Sequence, residues 1–168
     1  MIGAIVAGGA NTRFGGEPKG LRPVGGRRII DRVADALHAV VDDVILIANA
    51  PDASAWLPGV SAFTDDGDRR GSLVGLRTAL RAANGDDVLV VAWDLPFVTP
   101  GLLRLVRSLL IRPVRAAVPE STTGLEPFCA AYSASCLSIV DERLAENALR
   151  VASFIDALPV VRRIGVGE

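Results

Sequence analysis

The sequence predicts an α/β protein in three layers, with a doubly wound, mostly parallel sheet between two layers of helices. Two observations carry this. Short apolar runs rich in β-branched residues alternate with stretches of helical periodicity, which is βαβ grammar. The runs are also continuous rather than alternating in polarity, "VILIA" and "VLVVA" above all, as expected of strands covered on both faces. A length of 168 residues suits a single domain over 1–168 with one core.

Taken in order, Ile2 to Val6 reads as a strand, Ile29 to Val40 as a helix and Val44 to Ala48 as a strand. A short run follows near Val60 to Phe63, then a helix from Ser72 to Ala83 and a buried strand from Asp87 to Ala92. The stretch "VTPGLLRLVRSLL" opens a helix with Thr99 as N-cap and Pro100 in the first helical position. Strands are expected at Arg115 to Val118 and Pro127 to Ala131, helical segments at Ser133 to Glu146 and Leu149 to Ala157, and a last strand near Pro159 to Ile164. In such sheets ligands gather at the carboxyl ends of the strands. The segments after Val6, Ala48, Phe63 and Ala92 should therefore share one rim.

Composition removes several classes of function. A net charge of −1 argues against a general nucleic-acid surface. No apolar run approaches the roughly 18 residues of a membrane helix, and the N-terminus lacks the pattern of a secretory signal, so a cytoplasmic location with no membrane partner is expected. Cys129 and Cys136 read as buried free thiols rather than a ligand pair. His38, the one histidine, lies in a helical pattern, which leaves nucleophile-histidine catalysis without a well-placed base.

The informative stretch is the opening "MIGAIVAGGANTRFGGEPKG". It matches neither the P-loop spacing nor the dinucleotide fingerprint. Gly8 and Gly9 follow the strand directly, and Arg13, Gly15, Gly16 and Lys19 come after them. Glycines let a ligand approach the backbone, and a guanidinium with an ammonium neutralises phosphate charge. Lys19 is the only lysine among 18 basic residues, and a lysine brings a compact point charge where an arginine would demand planar space. In "VVAWDLPFVTP", Asp94 stands just past a buried strand, suited either to a turn or to Mg²⁺. In "FTDDGDRRGSLVGLRTAL", spacing alone gives an ordinary charged loop and a capped helix.

Together these stretches resemble the molybdenum cofactor nucleotidyltransferases of the glycosyltransferase A-like group, which has a nucleotide-diphospho-sugar transferase-like fold. "VAGGANTRFGGEPK" resembles the group's L-A-G-G-x-x-x-R-[MF]-G-x-x-K, with Val6 for leucine and one extra residue before the lysine. "GSLVGLRTAL" resembles G-P-L-x-G-[IL]-x-x-A-L, "WDLPFVTPGLL" resembles the aspartate-proline metal motif, and "LEPFCAAY" and "ALRVASFID" resemble later segments. The resemblance implies transfer of GMP from GTP to the phosphate of molybdopterin or the molybdenum cofactor, with Mg²⁺ as cofactor and pyrophosphate as the leaving product. It also implies contact with molybdoenzymes or cofactor-biosynthesis proteins.

Carried over by position, Val6, Ala7, Gly8 and Gly9 meet base and ribose, while Arg13 and Lys19 hold the triphosphate. Asp94 binds Mg²⁺. Asp65 helps bind the nucleoside, Gly71, Leu73 and Gly75 complete the base pocket, and Arg150 is a weaker candidate for the acceptor. Gly8 and Gly9 favour guanine over cytosine. The chain departs from the pattern in three places: Ile47 stands at the likely match to an asparagine, with Asn49 nearby; Ser72 replaces a proline; and the sequence stops at "RRIGVGE" before an asparagine-containing N-x-N-T-P-[ED] segment. The alternatives are therefore a cytidylyltransferase or other nucleotidyltransferase acting on a different phosphorylated acceptor, and a catalytically impaired nucleotide-binding accessory protein.

Overall fold

The computed structural model describes residues 1–8, 18–66, 69 and 71–165. Ten strands are present among them: β1 (Ile2–Ala7), β2 (Pro23–Val24), β3 (Arg27–Arg28), β4 (Val44–Ala48), β5 (Ser61–Phe63), β6 (Val88–Ala92), β7 (Ala116–Ser121), β8 (Gly124–Leu125), β9 (Cys129–Tyr132) and β10 (Val161–Ile164). Five helices accompany them: α1 (Ile29–His38), α2 (Ser72–Ala82), α3 (Pro100–Ser108), α4 (Cys136–Ala145) and α5 (Val151–Asp156).

The central sheet runs in the order β10-β7-β9-β6-β1-β4-β5. Strand β1 pairs in parallel with β4 and β6, and β4 pairs in parallel with β5. Strand β9 enters antiparallel between β6 and β7, so the sheet is mixed on that side. The core of β6 is fully buried from Val88 to Val91, which is why its sequence is an unbroken apolar run.

Each face of the sheet is covered by its own helices. Helices α1 and α3 pack on one face through Ile30, Val33, Leu37, Leu103 and Val106. Helices α2, α4 and α5 pack on the other through Leu73, Leu76, Leu80, Val140 and Phe154. The Thr99 side chain accepts a hydrogen bond from the Leu102 N–H at 3.3 Å and Pro100 follows it, the expected opening of α3.

The sequence pattern does not announce the β2–β3 hairpin. Its two-residue turn is Gly25 and Gly26, at φ of 58° and 76°, the positive values that a tight primed hairpin turn requires. Arg32 of α1 donates to the Val24 carbonyl at 2.6 Å and fastens the hairpin to the helix.

Because β1, β4, β5 and β6 are parallel, their carboxyl ends lie on one edge. The segments that follow Ala7, Ala48, Phe63 and Ala92 meet there, as the sequence pattern predicts. Helix α1 leaves β1 on one face of the sheet, whereas α2 feeds β6 from the other. A cavity opens where these connections diverge.

Candidate active site

The cavity has a volume of about 1060 Å³ and sits on this rim. Strand β1 contributes Val6 and Ala7 and is followed by Gly8, while Ile47 and Asn49 come from the end of β4 and its exit. Asp65 follows β5, Trp93 and Asp94 follow β6, and Gly71, Ser72 and Gly75 come from the start of α2. The sequence candidates Val6, Ala7, Gly8, Asp65, Gly71, Gly75 and Asp94 are thus brought together. Gly9 and Arg13 lie outside the described residues.

Asp65 is held on both carboxylate oxygens. The Asn49 amide donates to Oδ2 at 2.8 Å, and the Thr78 hydroxyl donates to Oδ1 at 2.6 Å. The Asp65 backbone N–H donates in turn to Asn49 Oδ1 at 2.9 Å. Ile47 is buried in the sheet, so Asn49 is the polar residue that the exit of β4 presents to the cavity.

Asp94 is the opposite case. Its carboxylate lines the same cavity and makes no hydrogen bond or ion pair among the described residues. One carboxylate is thus fixed as an acceptor array, and the other is available to a cation.

Lys19 opens a single 3-10 turn, Lys19–Leu21, directly before the β2–β3 hairpin. The next residue explains how that turn sits: a Cβ on Gly20 would lie 2.5 Å from the ring of Trp93. Only a glycine lets the backbone rest on the indole. Trp93 in turn stacks on Trp56, with centroids 5.2 Å apart and planes at 16°, and the Trp56 indole N–H donates to Asp52 Oδ2 at 3.0 Å. Both tryptophans and Asp52 line the cavity, and the sequence pattern singles out none of them.

The start of α2 divides its residues between the cavity and the core. Leu73, expected at the base pocket, stands outside the cavity lining: its side chain is 0% exposed in the core, and its N–H donates to the Leu149 carbonyl at 3.1 Å. Gly71 lines the cavity, yet its lack of a side chain also serves packing, since a Cβ there would lie 2.8 Å from the Leu149 carbonyl oxygen. Ser72 has a use that a proline could not fill. Its hydroxyl accepts from the Val151 N–H at 3.0 Å and so satisfies the first residue of α5. Arg150, the N-cap of α5, is exposed next to this junction.

His38 ends α1 at the edge of the sheet opposite the cavity and is exposed. Cys129 and Cys136 are buried free thiols, as expected, and stand outside the cavity lining.

The motif order and the strand-exit geometry agree with a family relationship. The MobA-like NTP transferase domain matches residues 3–160. The chain belongs to that family. Relatives of this MobA-like chain include the molybdenum cofactor guanylyltransferase of Desulfosudis oleivorans, 35% identical over 95% of this chain and 79% of the relative. A probable molybdenum cofactor guanylyltransferase of Pelotomaculum thermopropionicum is 35% identical over 99% of this chain and 78% of its own length.

The fold of this MobA-like chain is similar to that of the molybdopterin-guanine dinucleotide biosynthesis protein A of Archaeoglobus fulgidus. The TM-score is 0.81 at 21% identity, covering 99% of this chain and 84% of that one. A Mycobacterium tuberculosis protein solved in complex with manganese shares the fold at a TM-score of 0.70 and 21% identity, covering 98% of this chain and 87% of that one.

Asp94 fits a hard divalent cation of the kind that takes one or two carboxylates and completes its shell with phosphate oxygens and water. Among the described residues no group of three or more His, Cys, Asp or Glu side chains could form an all-protein cage. This donor set suits a cation carried with a triphosphate.

Proposed function

We infer that this protein transfers GMP from GTP to the terminal phosphate of molybdopterin or the molybdenum cofactor, using Mg²⁺ and releasing pyrophosphate. The observation that carries this reading is the pairing, in one cavity, of a fixed carboxylate at Asp65 with an uncommitted one at Asp94.

Asp65 supports the choice of base. Guanine presents two adjacent donors, N1–H and the 2-amino group, and an ionised carboxylate accepts such a pair bidentately. Cytosine and adenine present a bare ring nitrogen at the corresponding position, which a carboxylate repels. Val6, Ala7 and the glycines Gly8 and Gly9 would meet base and ribose through backbone groups. Gly75 supports the same end of the cavity by leaving room beside Val6.

Lys19 and Arg13 would hold the triphosphate, and Asp94 would hold the cation. Mg²⁺, when bound, supplies positive charge to the phosphate oxygens. The acceptor's phosphate oxygen attacks the α-phosphorus, a new P–O bond forms, and the bond from the α-phosphorus to the bridging oxygen breaks as pyrophosphate leaves. A phosphate monoester is already anionic near neutral pH, so the nucleophile needs no strong base. That agrees with a lone histidine on the opposite edge of the sheet. Catalysis then rests on positioning and on fixed positive charge at the phosphates.

The test is a pyrophosphate-release assay on Lys19→Ala and Asp94→Ala, with circular dichroism to establish the fold. Both variants should remain folded and lose transfer by at least about a hundredfold. Near-normal turnover in either one removes that residue from the phosphate end of the site.

A further inference from the structure

We propose that Thr78, in the middle of α2, is a positioning residue that sets base selectivity by fixing the plane of the Asp65 carboxylate. This inference rests on Asp65 as the group that reads the base.

A threonine in a helix interior is a local cost, because its branched β-carbon restricts the side chain against the preceding turn. Its usual local outlet is a bond back to the carbonyl four residues earlier. Here that carbonyl, of Val74, lies 3.1 Å from Thr78 Oγ1, whereas Asp65 Oδ1 lies at 2.6 Å. The hydroxyl has one proton to give. The shorter contact, to a charged acceptor, takes it.

Acceptor sites on the carboxylate can be counted. An ionised carboxylate offers about four, two on each oxygen. Asn49 Nδ2 fills one on Oδ2 and Thr78 Oγ1 fills one on Oδ1. The orientation of the Asn49 amide follows from the Asp65 N–H that bonds its oxygen, which leaves its NH₂ for the carboxylate. One site on each oxygen remains, and Asp65 lines the cavity. Two parallel donors on a planar ring suit that pair of sites only if the carboxylate cannot rotate.

Thr78 supplies the half of this restraint that Asn49 does not. Asn49 grips the backbone and one oxygen, which leaves the far oxygen to be fixed from α2. That helix is a firm support, since the neighbouring Arg77 donates to Asp141 of α4 at 2.6 Å. Along the same helix Gly75 faces the cavity, so one element carries both the floor of the pocket and the restraint on its reading group.

The experiment compares wild type, Thr78→Val and Thr78→Ser with the Mg²⁺ salts of GTP and of ITP, which lacks the 2-amino group. Binding is read by tryptophan fluorescence, because both tryptophans of the chain line the cavity. Turnover is read by pyrophosphate release. Wild type should favour GTP over ITP. Thr78→Val should raise KM and Kd for GTP about tenfold, leave ITP nearly unaffected, and change kcat at saturation far less than KM. Thr78→Ser, which keeps the hydroxyl, should restore the preference.

A Thr78→Val protein that keeps the wild-type ratio of GTP to ITP overturns the role of Thr78 and leaves the reading of Asp65 standing. A loss spread equally over both nucleotides, accompanied by a fall in Tm and unrelieved in Thr78→Ser, also overturns it, as the mark of a merely structural residue. A wild type without preference for GTP removes the reading of Asp65, and the positioning role falls with it.

Discussion

Asn49 and Asp65 hold each other in a closed pair: the Asn49 amide donates to the Asp65 carboxylate at 2.8 Å, and the Asp65 backbone N–H donates back at 2.9 Å. The pair joins the exits of two neighbouring parallel strands, β4 and β5. Both bonds face the cavity, so water can replace them when it is empty. Asn49→Ala should therefore cost about 1 kcal/mol or less of stability while weakening GTP binding roughly tenfold. Urea denaturation and fluorescence titration measure the two effects separately. A large loss of stability with normal affinity would make the pair structural.

Gly20 is where the backbone before the hairpin rests on Trp93. A methyl group there would lie 2.5 Å from the ring, and the ring cannot yield easily because Trp56 stacks on it. Gly20→Ala should destabilise the protein by about 1–3 kcal/mol. Because Lys19 is its neighbour, transfer should also fall, even well below the melting temperature. Unchanged turnover at full folding would separate the seat of Lys19 from the indole.

Gly75 provides a cleaner division between folding and binding. A glycine inside a helix costs roughly 1 kcal/mol relative to alanine. In Gly75→Ala the new methyl would lie 3.2 Å from Val6 Cγ1, a tight contact that a small shift relieves. Stability should hold or rise slightly, and GTP affinity should fall because the methyl enters the cavity floor. A calorimetric scan together with a GTP titration decides it, and unchanged affinity would remove Gly75 from the base end.

How far the sequence reveals this site depends on the kind of residue. Asp94 is legible as a candidate because it stands just past an apolar strand run, where parallel topology gathers the exits, whereas spacing around Asp65 gives only a charged loop and its role comes from the family resemblance. The direction of β9 is not legible, since an apolar run carries no sign of whether it pairs parallel or antiparallel. The helical spacing of Leu73, Leu76 and Leu80 marks a core stripe, which is why Leu73 turns inward while Gly75 faces the cavity. Trp56 and Trp93 meet only through the fold. Thr78 resembles any mid-helix threonine until Asp65 is placed beside it.

The two buried thiols tie stability to pH. Burial raises the Cys129 pKa from its ordinary value of 9.0 to about 11, with Glu126 adding to the shift. Burial likewise raises Cys136 to about 12, partly offset by Arg115. The folded chain thus keeps protons that the unfolded chain gives up. This contribution to stability is whole below pH about 9 and is lost as pH rises through 11 and 12. The urea midpoint should fall above pH about 9, and a thiol reagent at neutral pH should label neither cysteine until the protein unfolds. Rapid labelling of the native protein would contradict their burial.

Guanylyl transfer is read most directly by mass spectrometry of the products after incubating the protein with molybdopterin, Mg²⁺ and either GTP or CTP. A guanylyltransferase gives a guanine dinucleotide of molybdopterin and an equal amount of pyrophosphate with GTP, and little of either with CTP. A cytosine dinucleotide as the main product, or GTP bound without any dinucleotide formed, would contradict it.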